Sequence, residues 1–250
     1  MKPFIFVVFL CFSIVLNAQI LNVESLRKVT DTSGFSGSTT LDFALKRTTN
    51  DFFTLSSKIH FQYKMNKHLA LFKNDVKLQK IEGESFENGG ITHLRYNYRF
   101  ARRIAWEIFT QGQYNKISFI KFRGLLGTGP RFKLTKSENY KFYLGTLVMY
   151  EYEELEDNVT PVQRDFRGSI YASFSLYPIK TLSLISTTYY QPRLSQFGDY
   201  RVSNESSLLI DVYKNLAFSI NYTFTFDSFP AEGIPNSQYD FATGIVYSFD

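Results

Sequence analysis

Residues 216–227 read LAFSINYTFTFD, and every even position is apolar: Leu216, Phe218, Ile220, Tyr222, Phe224 and Phe226. The odd positions are small or polar: Ala217, Ser219, Asn221, Thr223, Thr225 and Asp227. A period of two sends these sets to opposite faces of a β-strand. In a soluble sandwich the apolar face meets a second sheet, whereas in an outer-membrane barrel it meets lipid and the polar face lines a lumen. Strand length separates the two readings. Sandwich strands need about five or six residues, and this stretch and its counterparts run roughly twice as long.

From Gly34 onward twelve alternating segments are predicted, at 34–47, 53–64, 69–81, 91–100, 104–116, 121–134, 140–153, 166–177, 181–192, 201–213, 216–227 and 237–249. In the second, Phe53, Leu55, Ile59, Phe61 and Tyr63 oppose Thr54, Ser56, Lys58, His60, Gln62 and Lys64. In the fourth, Leu94, Tyr96, Tyr98 and Phe100 oppose His93, Arg95, Asn97 and Arg99. Connections alternate between tight (MNKH, ARR, PIK, KN) and long (EGESFENGG, EELEDNVTPVQR, RLSQFGDY, SFPAEGIPN). Short turns on one side and long loops on the other are the asymmetry of a bacterial barrel, and an even count returns both termini to the periplasm. Tyr63, Phe100 and Tyr190 fall near segment ends, where an interfacial aromatic girdle belongs. The expected fold is all-β: a closed antiparallel up-and-down transmembrane β-barrel of about twelve strands, over residues 34–250.

The N-terminus agrees with export. Residues Phe4 to Leu16 form an apolar run behind Lys2 and end in Asn17-Ala18-Gln19, the layout of a secretory signal cleaved after Ala18. Residues 19–33 are then a periplasmic segment. The single cysteine, Cys11, sits inside the signal, so the mature chain is expected to fold without disulfides. Cleavage takes Lys2 with it and lowers the formal net charge from +5 by one, to +4, with no basic run of the kind that binds nucleic acid. Apart from the signal no apolar run approaches twenty residues, which excludes a bundle of membrane-spanning helices.

Several stretches, QILNVESLR after the signal, HLRYNY at 93–98, RGLLGTGPRFKL at 123–134 and YTFTFDSFPAEGIPNSQYDFATGIVYSF at 222–249, together resemble one family. It is the outer-membrane β-barrel family filed as domain of unknown function 481, also called putative salt-induced outer-membrane proteins, in its Bacteroidetes form. The resemblance implies a barrel in the outer membrane of a Gram-negative cell and carries no established activity or site residue. Like outer-membrane barrels in general, the chain closes on an aromatic, Phe249, which the assembly machinery would recognise; Asp250 follows it.

Candidate chemistry is sparse. Lipid-modifying barrels activate a serine with a nearby histidine, often as His-x-Ser, yet the three histidines here stand in HFQ, HLA and HLR. A triad assembled from separate strands is the alternative that spacing leaves open. His60 and His93 read as lumen polar groups and His68 as a turn residue. Gly124, Gly127 and Gly129 in RGLLGTG do not form a nucleotide loop; Gly127 and Gly129 share the inward parity of Arg131 and either leave room for bulky neighbours or let the strand bend.

Two charge constellations remain. Folding the fourth, fifth and sixth segments as hairpins pairs Asn97 with Glu107 and Glu107 with Arg131, all inward, with Arg95 and Arg99 diagonal to the carboxylate. Such a cluster either selects anions in a narrow channel or plugs the barrel. Glu151, Glu153, Glu154, Glu156 and Asp157 form an acidic outer loop, which either solvates itself or bridges to lipopolysaccharide through divalent cations. No cofactor or resident metal is expected, and the implied partners are outer-membrane lipids, lipopolysaccharide and the barrel assembly machinery.

Overall fold

Alternation over long segments produces one sheet, and its two faces are inverted relative to a soluble protein. The computed structural model describes residues 33–47, 50–135, 137, 139–156, 160–214 and 216–247. The expected signal, residues 19–32, Asp157 and Phe249 lie outside the described residues.

Twelve strands follow one another as β1 (Gly34–Arg47), β2 (Asp51–Met65), β3 (His68–Ile81), β4 (Glu84–Ala101), β5 (Ile104–Asn115) and β6 (Ile120–Lys133). The second half is β7 (Tyr140–Leu155), β8 (Gln163–Ile179), β9 (Leu182–Arg193), β10 (Gln196–Tyr213), β11 (Leu216–Asp227) and β12 (Ser237–Tyr247). All pair antiparallel with their chain neighbours, in the order β1 through β12. The architecture is thus an all-β, up-and-down antiparallel sheet. Among the described residues no ladder joins β12 to β1.

Inversion is plain in the stretch that opened the reading. On β11, Phe218 and Tyr222 are exposed, while Ala217, Ser219 and Thr225 are buried. On β4, Leu94 is 50% exposed and Arg95 only 3%. Trp106, Ile108, Leu126, Val148, Phe166 and Ile170 continue the outward apolar band. Left in water, each such side chain would forgo about 1.5–3 kcal/mol of burial. Among the described residues no second sheet covers them, so the sandwich reading fails.

Curvature follows from contacts that a flat sheet forbids. Strands lie about 4.8 Å apart in a ladder, so β5 and β8 would stand roughly 14 Å apart in a plane. Nonetheless the Tyr171 hydroxyl on β8 donates to Glu107 on β5 at 2.6 Å. The polar face is therefore concave, curled tightly enough for side chains to meet across it.

Two expected loops are strands instead. EGESFENGG turns at 82–83, and β4 starts at Glu84; RLSQFGDY turns at 194–195, and β10 starts at Gln196. Glu82 and Gly83 both have positive φ, 51° and 81°, which is the type I′ geometry that matches strand twist in a two-residue hairpin. Glu82 is held there by its neighbour strand: its amide donates to the Asp51 carbonyl at 2.9 Å, and its carboxylate accepts the Asp51 amide at 2.7 Å. The segregation of short and long connections is accordingly weaker than the sequence predicts. Long connections persist at 156–162 and 228–236.

A candidate site: ion-paired networks across the concave face

The lower network centres on Glu107, which is 0% exposed. Register places it opposite Asn97 on β4 and opposite Gly129 on β6, so Arg131 sits two residues along, still on the inner face. Asn97 Nδ2 donates to Oε1 at 2.8 Å, and Arg131 Nη1 lies 3.5 Å from the same oxygen. Arg95 Nη1 is 3.6 Å from Oε2, and Tyr171 completes the carboxylate's shell. Arg131 also lies over the Tyr143 ring, 3.9 Å from its centre. A carboxylate removed from water requires this many partners, since desolvation alone would be prohibitive.

Arg99 does not join this network. It pairs with Ala105 beside the hairpin turn and is exposed, with its guanidinium 3.4 Å from the Asn66 carbonyl of the adjacent turn. Inward parity holds for Arg99, but it lies exposed at the rim, beside the turn and away from Glu107. Conversely, Tyr171 was missed, because only curvature brings β8 to β5.

Above Glu107 an apolar belt of Phe109, Leu147, Met149, Tyr171 and Tyr189 fills the concave face. Glycines make room for its rings. Phe109 lies over Gly127 and Tyr171 over Gly145, each directly opposite in register, and a Cβ at either glycine would collide with the ring. This is the spacing role expected of Gly127. We predict that Gly145→Ala displaces Tyr171 from Glu107 and destabilises the refolded protein by about 1–3 kcal/mol, the usual cost of overpacking, read as a lower urea midpoint.

The acidic run that the sequence places in an outer loop belongs instead to the sheet, as part of an upper network. Glu151 and Glu153 lie in β7, not in a solvated acidic mouth, and are 1% and 4% exposed. Alternation within EYEELED turns these two inward and Glu154 outward, where it pairs with Lys121 at 2.6 Å. Glu156 is exposed in the following turn. Arg201 on β10 reaches Glu151 at 2.6 Å, Glu153 at 3.2 Å and Asp227 at the end of β11 at 2.7 Å. Arg123 on β6 takes the other side of Glu153. Arg167 on β8 bridges Glu151 and Asp199, both at 2.9 Å, and Arg193 joins Asp165 at 2.7 Å to Asp199 at 3.4 Å. An unbroken chain of opposite charges thus runs from β6 to β11. Its arginines lie on four different strands, so no local motif announces it.

The histidines are accounted for by other partners. His60 Nε2 lies 2.8 Å from Asp75, His93 Nδ1 lies 2.9 Å from Gln111, and the His68 ring packs on Tyr96 and Tyr98 outside the sheet. None of these partners is a serine. Between His93 and the upper network is a void of about 20 Å³, room for one or two waters.

Comparison with known proteins bears on the fold. A solved structure titled "NanC porin structure in rhombohedral crystal form" aligns with a TM-score of 0.51 at 9% identity, covering 86% of this chain and 98% of its own. Another, titled "Bacterial polysaccharide outer membrane secretin", aligns with a TM-score of 0.44 at 9% identity, covering 85% and 90%. No curated protein matches the sequence. Residues 27–249 match the family described as "Protein of unknown function, DUF481", nearly the whole chain beyond the expected signal, so the protein belongs to that family.

Proposed function

We propose that the chain is a closed twelve-stranded β-barrel of the outer membrane whose lumen is shut at rest. In this reading it is a sealed envelope barrel and not a standing diffusion pore. One observation carries it: Glu107 and Glu151, both on the lumen side, have 0% and 1% exposure and hold partners three strands away. Side chains that meet across a curled sheet narrow any water path beside them. Small barrels fill this way, whereas wide aqueous channels need many more strands.

The outward apolar band supports the membrane location, because lipid is the medium that makes such a face favourable. The fold likeness to a structure titled as a porin agrees with it. Export by residues 1–18, a periplasmic segment at 19–33 and recognition of the Phe249 strand by the assembly machinery complete the proposal, with lipopolysaccharide around the outer rim.

Conductance of residues 19–250, refolded into planar bilayers, tests it. The expected result is insertion, shown by protease protection of the strands, without discrete conductance steps. Stable open steps in the unaltered chain would overturn the shut lumen, and a chain that stays soluble without detergent would overturn the barrel.

A further inference from the structure

The connection from β11 to β12 is built rather than slack. Asp227 Oδ1 accepts the Phe229 amide at 3.0 Å, and the Ile234 amide closes a turn on the Ala231 carbonyl at 3.0 Å. Gly233 in that turn has φ 84°, as the third position of a type II turn demands. Asn236 donates to the Asp227 carbonyl at 2.9 Å, and the Ser228 hydroxyl accepts the Tyr200 amide at 2.8 Å. Pro230 and Pro235 flank the turn and restrict it further. A connection ordered in this way offers a surface whose entropy cost is met before any ligand arrives.

Between this connection and the upper network lies a cleft of about 140 Å³. A closed void near that size holds a benzene ring, so a sugar ring would seat one face in this open cleft with its remaining hydroxyls outside. Arg123, Glu153 and Arg201 form part of its lining, together with Ser118, Phe229 and Glu232. Both guanidiniums are committed to carboxylates. Counting Asp227, the lining carries three carboxylates against two arginines, so a second anion would meet repulsion. Two groups remain without a role in the fold. The Ser118 hydroxyl is buried in a residue only 5% exposed and has no hydrogen-bond partner, and the Phe229 ring is 59% exposed. A buried hydroxyl without a partner costs about 1–3 kcal/mol; this oxygen is closed to water in the unliganded cleft, and rotation about the Ser118 χ1 is what would turn it to a ligand hydroxyl.

We propose that this cleft binds one small, neutral, polyhydroxylated molecule of sugar-ring size. The ring's C–H face lies on Phe229, its hydroxyls bond to Ser118 and to the carboxylate rim, and its neutrality avoids the charge excess. Access from outside the cell rests on the barrel reading; binding itself does not.

Calorimetric titration of the detergent-refolded chain tests this with D-glucose, D-galactose and D-mannose as neutral probes and D-gluconate as the anionic one. At least one neutral sugar should bind with a dissociation constant of about millimolar, as its size allows, and gluconate at least tenfold more weakly. Phe229→Ala should weaken the bound sugar about tenfold and Ser118→Ala severalfold. Phe229 is a surface loop residue, and retained heat-modifiable gel migration confirms that its variant is folded. Absence of binding by all three neutral sugars, tighter binding of gluconate, or an unchanged affinity in folded Phe229→Ala would each overturn the proposal. Bilayer insertion is scored on the same preparation, so a failed site and a failed barrel give different results.

Discussion

Arg201→Ala is expected to open the proposed shut lumen, giving discrete conductance steps that favour cations. Arg201 is the tie between β7, β10 and β11, holding Glu151, Glu153 and Asp227 at once. Truncation removes a long side chain from the middle of the concave face and leaves three carboxylates short of one cation. Arg167 still serves Glu151, and Arg123 still serves Glu153, so the local balance shifts by a single negative charge. The space opens toward Thr225 on β11, which lines the same cleft and is too short to refill it. Arg201→Lys retains the charge but not the fork of donors, and is expected to conduct more weakly than the alanine variant. A silent Arg201→Ala, or one that prefers anions, would show that this network is not what shuts the lumen.

Glu107→Ala is expected to produce the largest loss of stability, about 3–5 kcal/mol, since it removes the carboxylate that Arg95 and Arg131 share in a site closed to water. Glu107→Gln keeps an acceptor for Asn97 and Tyr171 and should lose less. Trp106, the single tryptophan, is the next residue and points outward, bonded through Nε1 to Thr128 at 2.8 Å. Its emission during urea unfolding from lipid vesicles therefore reports on the altered strand directly. Equal midpoints for parent and Glu107→Ala would mean that the carboxylate contributes nothing net, its Coulombic gain cancelled by desolvation.

Strand number and facing were legible because alternation over ten or more residues leaves little freedom: a slip of one position would send Arg95, Asn97 and Glu107 outward together. Pairing of Asn97 with Glu107 was legible for the same reason, with the short Arg102-Arg103 turn fixing the hairpin. Arg131 was placed two residues out of register, which preserved its face and hence its network. What could not be read is everything that depends on curvature. Tyr171 meets Glu107, and Arg201 meets Glu151, only because the sheet bends, and sequence periodicity is silent on the bend. Glu151 and Glu153 were misplaced for a different reason: an acid-rich run resembles loop until the arginines that neutralise it are seen on three other strands. Glu82 hid a hairpin, since a non-glycine residue at positive φ is not an obvious turn signal.

The sequential ladder order has a consequence for how the chain assembles and comes apart. Each strand pairs with the next, so the sheet can zip hairpin by hairpin with short loop closures. By contrast, the contacts that join distant strands span 64 residues from Glu107 to Tyr171 and 50 from Glu151 to Arg201. Those contacts form only after the ladders between them exist, so they are absent from the early barrier. Interactions made after the transition state leave the folding rate almost unchanged and slow unfolding instead. The interior arginines therefore act as a kinetic lock: they set how long the assembled sheet survives, not how quickly it is made.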